Sequence, residues 1–343
     1  MIDIMKGIGI LLVVLGHAIQ KNISDYQLNP LYNVIYSFHM PLFFIIAGYL
    51  LHKTLKGNRL NWVKNKAIYF VIPHVFFNIL YYLMSFTGLT IFENLTAQYS
   101  FLNWIKESLI YTGGEWFLWV LFIVLVLMLI VDWANRRFSE FTFWVIAFSI
   151  VGILLFLPDT EKDYFRLFEL EWYFLFTLIG YLVAKYSIFA NKYVVLLFIG
   201  SILYFVLMYW TDWKGGWPDA PPRNLYYYLE AGNPIFYVER LAQALLGISV
   251  VIFVSKGISK IKSVSFVFAW LGRISLGVYL FHMFFSSLGF GSGWLLVGTS
   301  FIFSLALGII LTFLCSKIPF IKRIWLKGTF AREARPEPVP NLL

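Results

Sequence analysis

Asp3, Lys6 and His17 are set into an otherwise apolar run, "IDIMKGIGILLVVLGH", residues 2–17. An acid, an ammonium group and an imidazole are each costly in hydrocarbon, and ionisable groups inside membrane spans default to a functional reading. Each helical residue turns by about 100°, which puts Lys6 and His17 within about 20° of one another and Asp3 about 60° from Lys6. All three therefore share one face, with Lys6 and His17 ~16 Å apart along the axis. Imidazole titrates near neutrality, so His17 suits general-base work on a hydroxyl or acceptance of an acyl group as a nucleophile. The spacing does not choose between these two routes. A plainer account stays open beside them: Asp3 and Lys6 neutralise each other as an i,i+3 pair, Lys6 snorkels, and His17 is a hydrogen-bonded core histidine.

Such residues need long apolar elements to hold them. Of the 343 residues, 60% are hydrophobic, 20% aromatic and 13% charged, and mean hydropathy is +0.76. Soluble domains run nearer 45–50% apolar and about 25% charged. The composition predicts an all-α polytopic membrane protein, a bundle of ten transmembrane helices. The spans are expected near 3–21, 31–52, 66–87, 115–133, 141–157, 168–186, 193–210, 234–256, 265–288 and 293–316. The first run carries an acid and a base and reads as a permanent span rather than a cleaved signal. "FLNWIKESLI" (101–110) is too short and polar to span and is expected to lie in the interface. A transmembrane domain over 1–317 is followed by a basic, then proline-rich tail over 318–343, expected to be disordered. The single cysteine, Cys315, excludes an intramolecular disulfide.

The net charge of +9 would fit nucleic acid, but its distribution argues otherwise. Eighteen Lys and Arg residues fall in alternate loops and the tail, including Lys53 to Lys66, Arg136, Arg137, Lys185, Lys256 and Lys260. Six fall on the other side. This bias places both termini in the cytoplasm of a multi-pass plasma (inner) membrane protein and leaves no reason to invoke nucleic acid.

With that topology, the remaining polar residues sort by depth. His39 lies in the outer half of the second span, followed by Pro41. Glu115 opens the fourth span, and Trp116 and Trp119 follow it at interface depth, where they either form an aromatic belt or stack on a ligand ring. Glu169 and Glu171 open the sixth span at the outer rim. Arg240, beside Glu239, reads as half of a structural pair. Arg273 lies in the inner part of the ninth span and His282 in its outer part, nine residues and about 180° apart. His74, after Pro73 and near Asn78, is placed in the inner half of the third span, and His52 in an inner loop. Cations thus gather at one side and imidazoles and carboxylates at the other.

"DIMKGIGILLVVLGH" resembles the opening of the integral-membrane acyltransferase family 3, with a basic residue, ten intervening residues and a histidine. "YSFHMPLFFIIAGYLL" (36–51), "GGEWFLWVL" (113–121), "LGRISLGVYLFHM" (271–283) and, more weakly, "IPHVFFNILYY" (72–82) resemble further segments of that family. The subgroup that modifies bacterial surface sugars, with its fucose O-acetylase-like proteins, is the most similar. This chain has Lys6 where the family more often has arginine, and lysine is a point charge rather than a bidentate fork. The resemblance implies a ten-helix fold and transfer of an acyl group, acetyl above all, from cytoplasmic acetyl-CoA. The acceptor would be a hydroxyl of an extracytoplasmic sugar, polysaccharide or lipid-linked glycan. On that basis His17, Glu115 and His39 are the catalytic candidates, with Glu115 orienting His17. Lys6, Asp3 and Arg273 would face the acyl-CoA, and Trp116, Trp119, Glu171 and His282 the acceptor. No metal site is expected, since no H-x-x-x-H or paired-cysteine spacing occurs. Two other readings fit a ten-span bundle: an exporter of a glycan or small metabolite, and a non-catalytic subunit of a polysaccharide assembly.

Overall fold

The computed structural model describes residues 1–55, 57–85, 116–156, 164–188, 194–210 and 234–319, together with positions 105, 106, 225, 229 and 321. Among them the chain forms ten long α-helices and no strand. They are α1 (Ile2–Asn22), α2 (Pro30–Thr54), α3 (Arg59–Ser85), α4 (Trp116–Arg137), α5 (Glu140–Leu155), α6 (Leu167–Lys185), α7 (Val194–Trp210), α8 (Pro234–Ile258), α9 (Lys262–His282) and α10 (Gly293–Ser316). Each falls on one of the ten expected spans, and seven are long and apolar enough to cross a membrane. The fold is that of an all-α, multi-pass membrane protein. The interfacial segment expected at 101–110 lies outside the described residues apart from positions 105 and 106. The tail from 322 onward and Glu115 also lie outside them.

Local chemistry sets the helix ends. Asn29 caps α2, its side-chain oxygen accepting from the Leu31 and Tyr32 amides at 3.0 and 3.2 Å, with Pro30 in the first turn where its missing N–H costs nothing. Ser139 caps α5 through the Thr142 amide at 3.2 Å. α3 begins at Arg59, seven residues before the expected start. His74 lies level with Trp119, in the first turn of α4, 5.9 Å between rings, so the inner-half placement is corrected. His52 is also corrected: it sits in the last turn of α2, its ring edge-on to Tyr181 at 4.8 Å, rather than in a loop.

Two helix pairs pack backbone to backbone. A Cβ at Gly7 on α1 would collide with the Phe268 carbonyl on α9, and one at Gly272 on α9 with the Asp3 carbonyl on α1. A Cβ at Gly48 on α2 would meet the Thr177 carbonyl on α6, and one at Gly180 the Ile45 carbonyl. Between apolar helices, where lipid is as good a solvent as leucine, close packing at small residues supplies the attraction. α1 sits inside this arrangement, against α2, α8, α9 and α10.

Successive helices alternate in direction. One end of the bundle carries the starts of the odd-numbered helices, here called the near end, and the other is the far end. Asp132 is the centre of the near end. It is fully buried and accepts from Arg136 Nε at 2.8 and 2.9 Å, Arg59 Nη2 at 3.2 Å and Tyr181 Oη at 3.1 Å. Asn135 donates to Tyr181 Oη at 2.9 Å, and Arg136 also reaches the Leu55 carbonyl at 3.3 Å.

Candidate functional site

The glycines of α1 aim its polar stripe. Gly7 turns one side toward α9, while Gly9 meets the Phe43 ring and Gly16 the Tyr36 ring of α2. On a helical wheel the Lys6–His17 stripe lies between those two faces, about 100° from Gly7 and about 80° from Gly16. It therefore faces the crevice between α2 and α9. Asp3 and Lys6 form an ion pair of 2.6 Å at the near end, their side chains 24% and 23% exposed. Gly272 packs on the Asp3 carbonyl, so Arg273, half-buried, follows directly on that contact. Between the two polar ends the stripe is filled by Ile10 and Val13, each 1% exposed. The polar groups are thus joined through a packed apolar stretch.

At the far end three helices bring three imidazoles together. The His17 ring, on α1, lies 5.2 Å from that of His282 on α9 and 6.2 Å from Tyr36 on α2. Tyr36 in turn lies 4.6 Å from His39. His17 is half-buried, whereas His39 and His282 are buried. His39 Nδ1 is 2.8 Å from the Ile35 carbonyl and His282 Nδ1 is 2.6 Å from the Tyr279 carbonyl. A main-chain carbonyl only accepts, so each Nδ1 carries the proton. His282 Nε2 is buried with no hydrogen-bond partner among the described residues. Asn22 pins the helices at this depth, donating to the Ser286 carbonyl at 3.0 Å and to the Ala18 carbonyl at 2.8 Å. A ladder of rings runs from the turn after α1 into the cluster: Tyr26 to Tyr32 at 4.9 Å, Tyr32 stacked on Tyr36 at 3.9 Å, then His39.

The other expected residues share this end but not this cluster. Trp116 lies 5.5 Å from Tyr173, with the Arg166 guanidinium 6.0 Å over its ring. Trp119 faces His74 at 5.9 Å and Phe165 at 6.2 Å. Glu171 is fully buried, takes a hydrogen bond from the Tyr237 hydroxyl on its first oxygen, and leaves its second without a partner among the described residues. Arg240 lies over the Trp172 and Phe236 rings, at 6.0 and 5.8 Å. An aromatic relay connects the two groups: Tyr279 to Phe117 at 5.4 Å, Phe117 to Phe44 at 5.4 Å, Phe44 stacked on Tyr173 at 4.2 Å. Among the described residues no three His, Cys, Asp or Glu side chains are arranged to hold a metal ion.

Sequence reasoning missed Gln20, Tyr36 and Asp132. Gln20 stands one helical turn from His17, a spacing at which side chains meet. Its amide oxygen is 3.0 Å from His17 Nδ1. Tyr36 stands inside the "YSFHMP" segment and was passed over for its neighbour His39. Asp132 precedes Arg136 by four residues, a standard ion-pair spacing hidden by the apolar run around it.

Two curated relatives, both called nodulation protein NolL, are similar to part of the chain. The one from Sinorhizobium fredii (strain NBRC 101917 / NGR234) is 32% identical over 166 residues, 46% of this chain and 42% of the relative. The one from Mesorhizobium japonicum (strain LMG 29417 / CECT 9101 / MAFF 303099) is 30% identical over 163 residues, 46% of this chain and 41% of the relative. The chain thus spans less than half the length of either. No solved structure matches it. The profile of the acyltransferase domain, family 3, matches residues 1–318, nearly the whole chain, and the protein belongs to that family.

Proposed function

We propose that the protein transfers an acyl group, acetyl above all, from acyl-CoA on the cytoplasmic side of the plasma membrane to a hydroxyl of a sugar or glycan on the other side. The carrying observation is the single stripe of α1, with Lys6 at the near end and His17 at the far end among two further imidazoles. The basic loops all fall at the near end, which supports placing that end in the cytoplasm. The donor's phosphates would meet Lys6 and Arg273 as point charges. His17 Nε2 takes the proton of the acceptor hydroxyl. The oxygen attacks the thioester carbon, an ester C–O bond forms, and the C–S bond breaks. The proton on His17 then passes to the leaving thiolate, giving the free thiol and a neutral imidazole. His39 and His282 flank the base. Trp116, Trp119 and Glu171 form the outer wall on the acceptor side. The family membership and the neutral, hydrogen-bonded character of the far-end cluster favour this reading over export.

Membranes containing the full chain, incubated with radioactive acetyl-CoA and surface glycan, should label the glycan. His17→Ala should lower labelling by about 10²–10⁴-fold, the usual contribution of a general base. Full labelling by that variant, at equal amounts of folded protein, removes His17 from the mechanism.

A further inference from the structure

The group that holds His17 is a carboxamide. Gln20 Oε1 lies 3.0 Å from His17 Nδ1, and the Tyr36 hydroxyl donates to the same oxygen at 3.2 Å, itself 3.4 Å from Nδ1. Three atoms thus close a triangle against one side of the imidazole. Gly16 permits it: a Cβ there would stand 2.8 Å from Tyr36 Cε2, and without one the phenol ring comes close against α1. An amide oxygen only accepts, so His17 Nδ1 carries the hydrogen and Nε2 keeps the lone pair. The same tautomer follows for His39 and His282 from their carbonyl partners.

We propose that Gln20, steadied by Tyr36, is the positioning residue of His17. It fixes the Nδ1–H tautomer so that Nε2 is the basic atom, and its neutrality leaves the imidazolium formed during transfer without a counter-charge at that nitrogen. The proposal rests on the reading of His17 as the base. The other titratable groups around His17 are few. Lys21 is on the same helix, Tyr36 and His39 come from α2, and Tyr279 and His282 come from α9. α8 brings Glu239 and Arg240 at this end, and the first three turns of α10 carry no titratable side chain. Among the described residues no carboxylate bonds to His17.

Two measurements test this. The first uses the full chain with ¹⁵N-labelled histidine in lipid nanodiscs, the His17 signals being identified by their loss in His17→Gln. Ring-nitrogen shifts should report Nδ1–H for His17 in the unaltered protein and a mixture of tautomers in Gln20→Leu. Nε2–H in the unaltered protein overturns the proposal. This readout needs no acyl transfer, so it decides the matter even if the proposed function fails. The second is kinetic. Gln20→Leu should lower kcat by about 10–100-fold, as loss of an orienting partner commonly does, with KM for acetyl-CoA unchanged. Gln20→Glu places a carboxylate against Nδ1, which favours the charged imidazole and should move the acid limb of the pH–rate profile to higher pH. A Gln20→Glu profile that keeps its limb and falls equally at every pH would assign Gln20 a packing role only. Absence of labelling by the unaltered protein would instead count against the function proposed above.

Discussion

The near end of the bundle and the His17 cluster at the far end solve the problem of polar groups in an apolar interior in opposite ways. At the near end the charges are real and matched: Asp132 against Arg59 and Arg136, Asp3 against Lys6. At the far end the groups packed around His17 are uncharged rings, a phenol and a carboxamide, each held by one or two hydrogen bonds. The Nε2 nitrogen of His282 there has no hydrogen-bond partner among the described residues. A matched charge network is built to stay put. A neutral cluster with spare lone pairs is what the proposed proton transfer requires. The same contrast runs through the glycines. Gly272, near the first end, lies against backbone, while Gly16, at the second, lies against the edge of the Tyr36 side-chain ring.

The largest effect should come from exchanging those glycines for alanine. At Gly272 the new methyl meets the Asp3 carbonyl, which belongs to a helix and cannot yield locally, so α1 and α9 must separate. Overpacking of this kind costs about 1–3 kcal/mol or more. Gly272→Ala should therefore lower the thermal midpoint in detergent and the yield of folded protein. Gly16→Ala meets side chains instead, the Tyr36 ring at 2.8 Å and Ile35 Cγ2 at 3.3 Å, which yield more readily than a helix backbone. It should leave the midpoint nearly unchanged while weakening the Tyr36–Gln20 contact and slowing transfer. Equal stability losses in the two variants would break the distinction between a structural end and a chemical end.

Much of this division was legible in the sequence. All ten helices were visible because runs of about twenty apolar residues have few other uses, and the sides of the basic loops followed from charge alone. His17 and His39 were assigned to one side by counting along α1 and α2. What counting could not give was partnership. The wheel of α9 sets His282 opposite Arg273, yet the face toward α1 is fixed by Gly272, and His282, about 80° round from it, still reaches His17. Gln20 and Tyr36 were in plain view but are ordinary in type, and only the absent Cβ of Gly16 shows how closely α2 approaches. Asp132 went unseen because one acid within "LMLIVDWANRR" looks like an interfacial residue until Arg59, from another helix, is found beside it.

A smaller effect should follow at Asp132 itself. Asp132→Asn keeps the shape and one acceptor oxygen but turns an amide N–H₂ toward a guanidinium. The arginine side chains are 39% and 45% exposed and regain water, so the loss is held to about 1–3 kcal/mol, the cost of a buried hydrogen-bonding group left poorly matched. The expected outcome is a lower thermal midpoint with acetyl transfer per folded molecule unchanged. Loss of transfer without loss of stability would mean that the near-end network takes part in the reaction.

The smallest effect is expected at Lys6, and its sign is more informative than its size. An ion pair as exposed as Asp3–Lys6 contributes no more than about 1 kcal/mol, so Lys6→Met should raise KM for acetyl-CoA by about fivefold at most and leave kcat alone. Asp3→Asn should do the reverse, since it removes the carboxylate that competes with the donor's phosphates for the ammonium group. Both changes should shrink as salt is added, because exposed charges are screened over about 8 Å at physiological ionic strength. The double variant separates the two accounts of this pair. If Lys6 serves only to neutralise Asp3, removing both should restore the KM of the unaltered protein. If Lys6 meets the donor, the double variant should keep the raised KM of Lys6→Met, because the missing contact is with the ligand and not with Asp3.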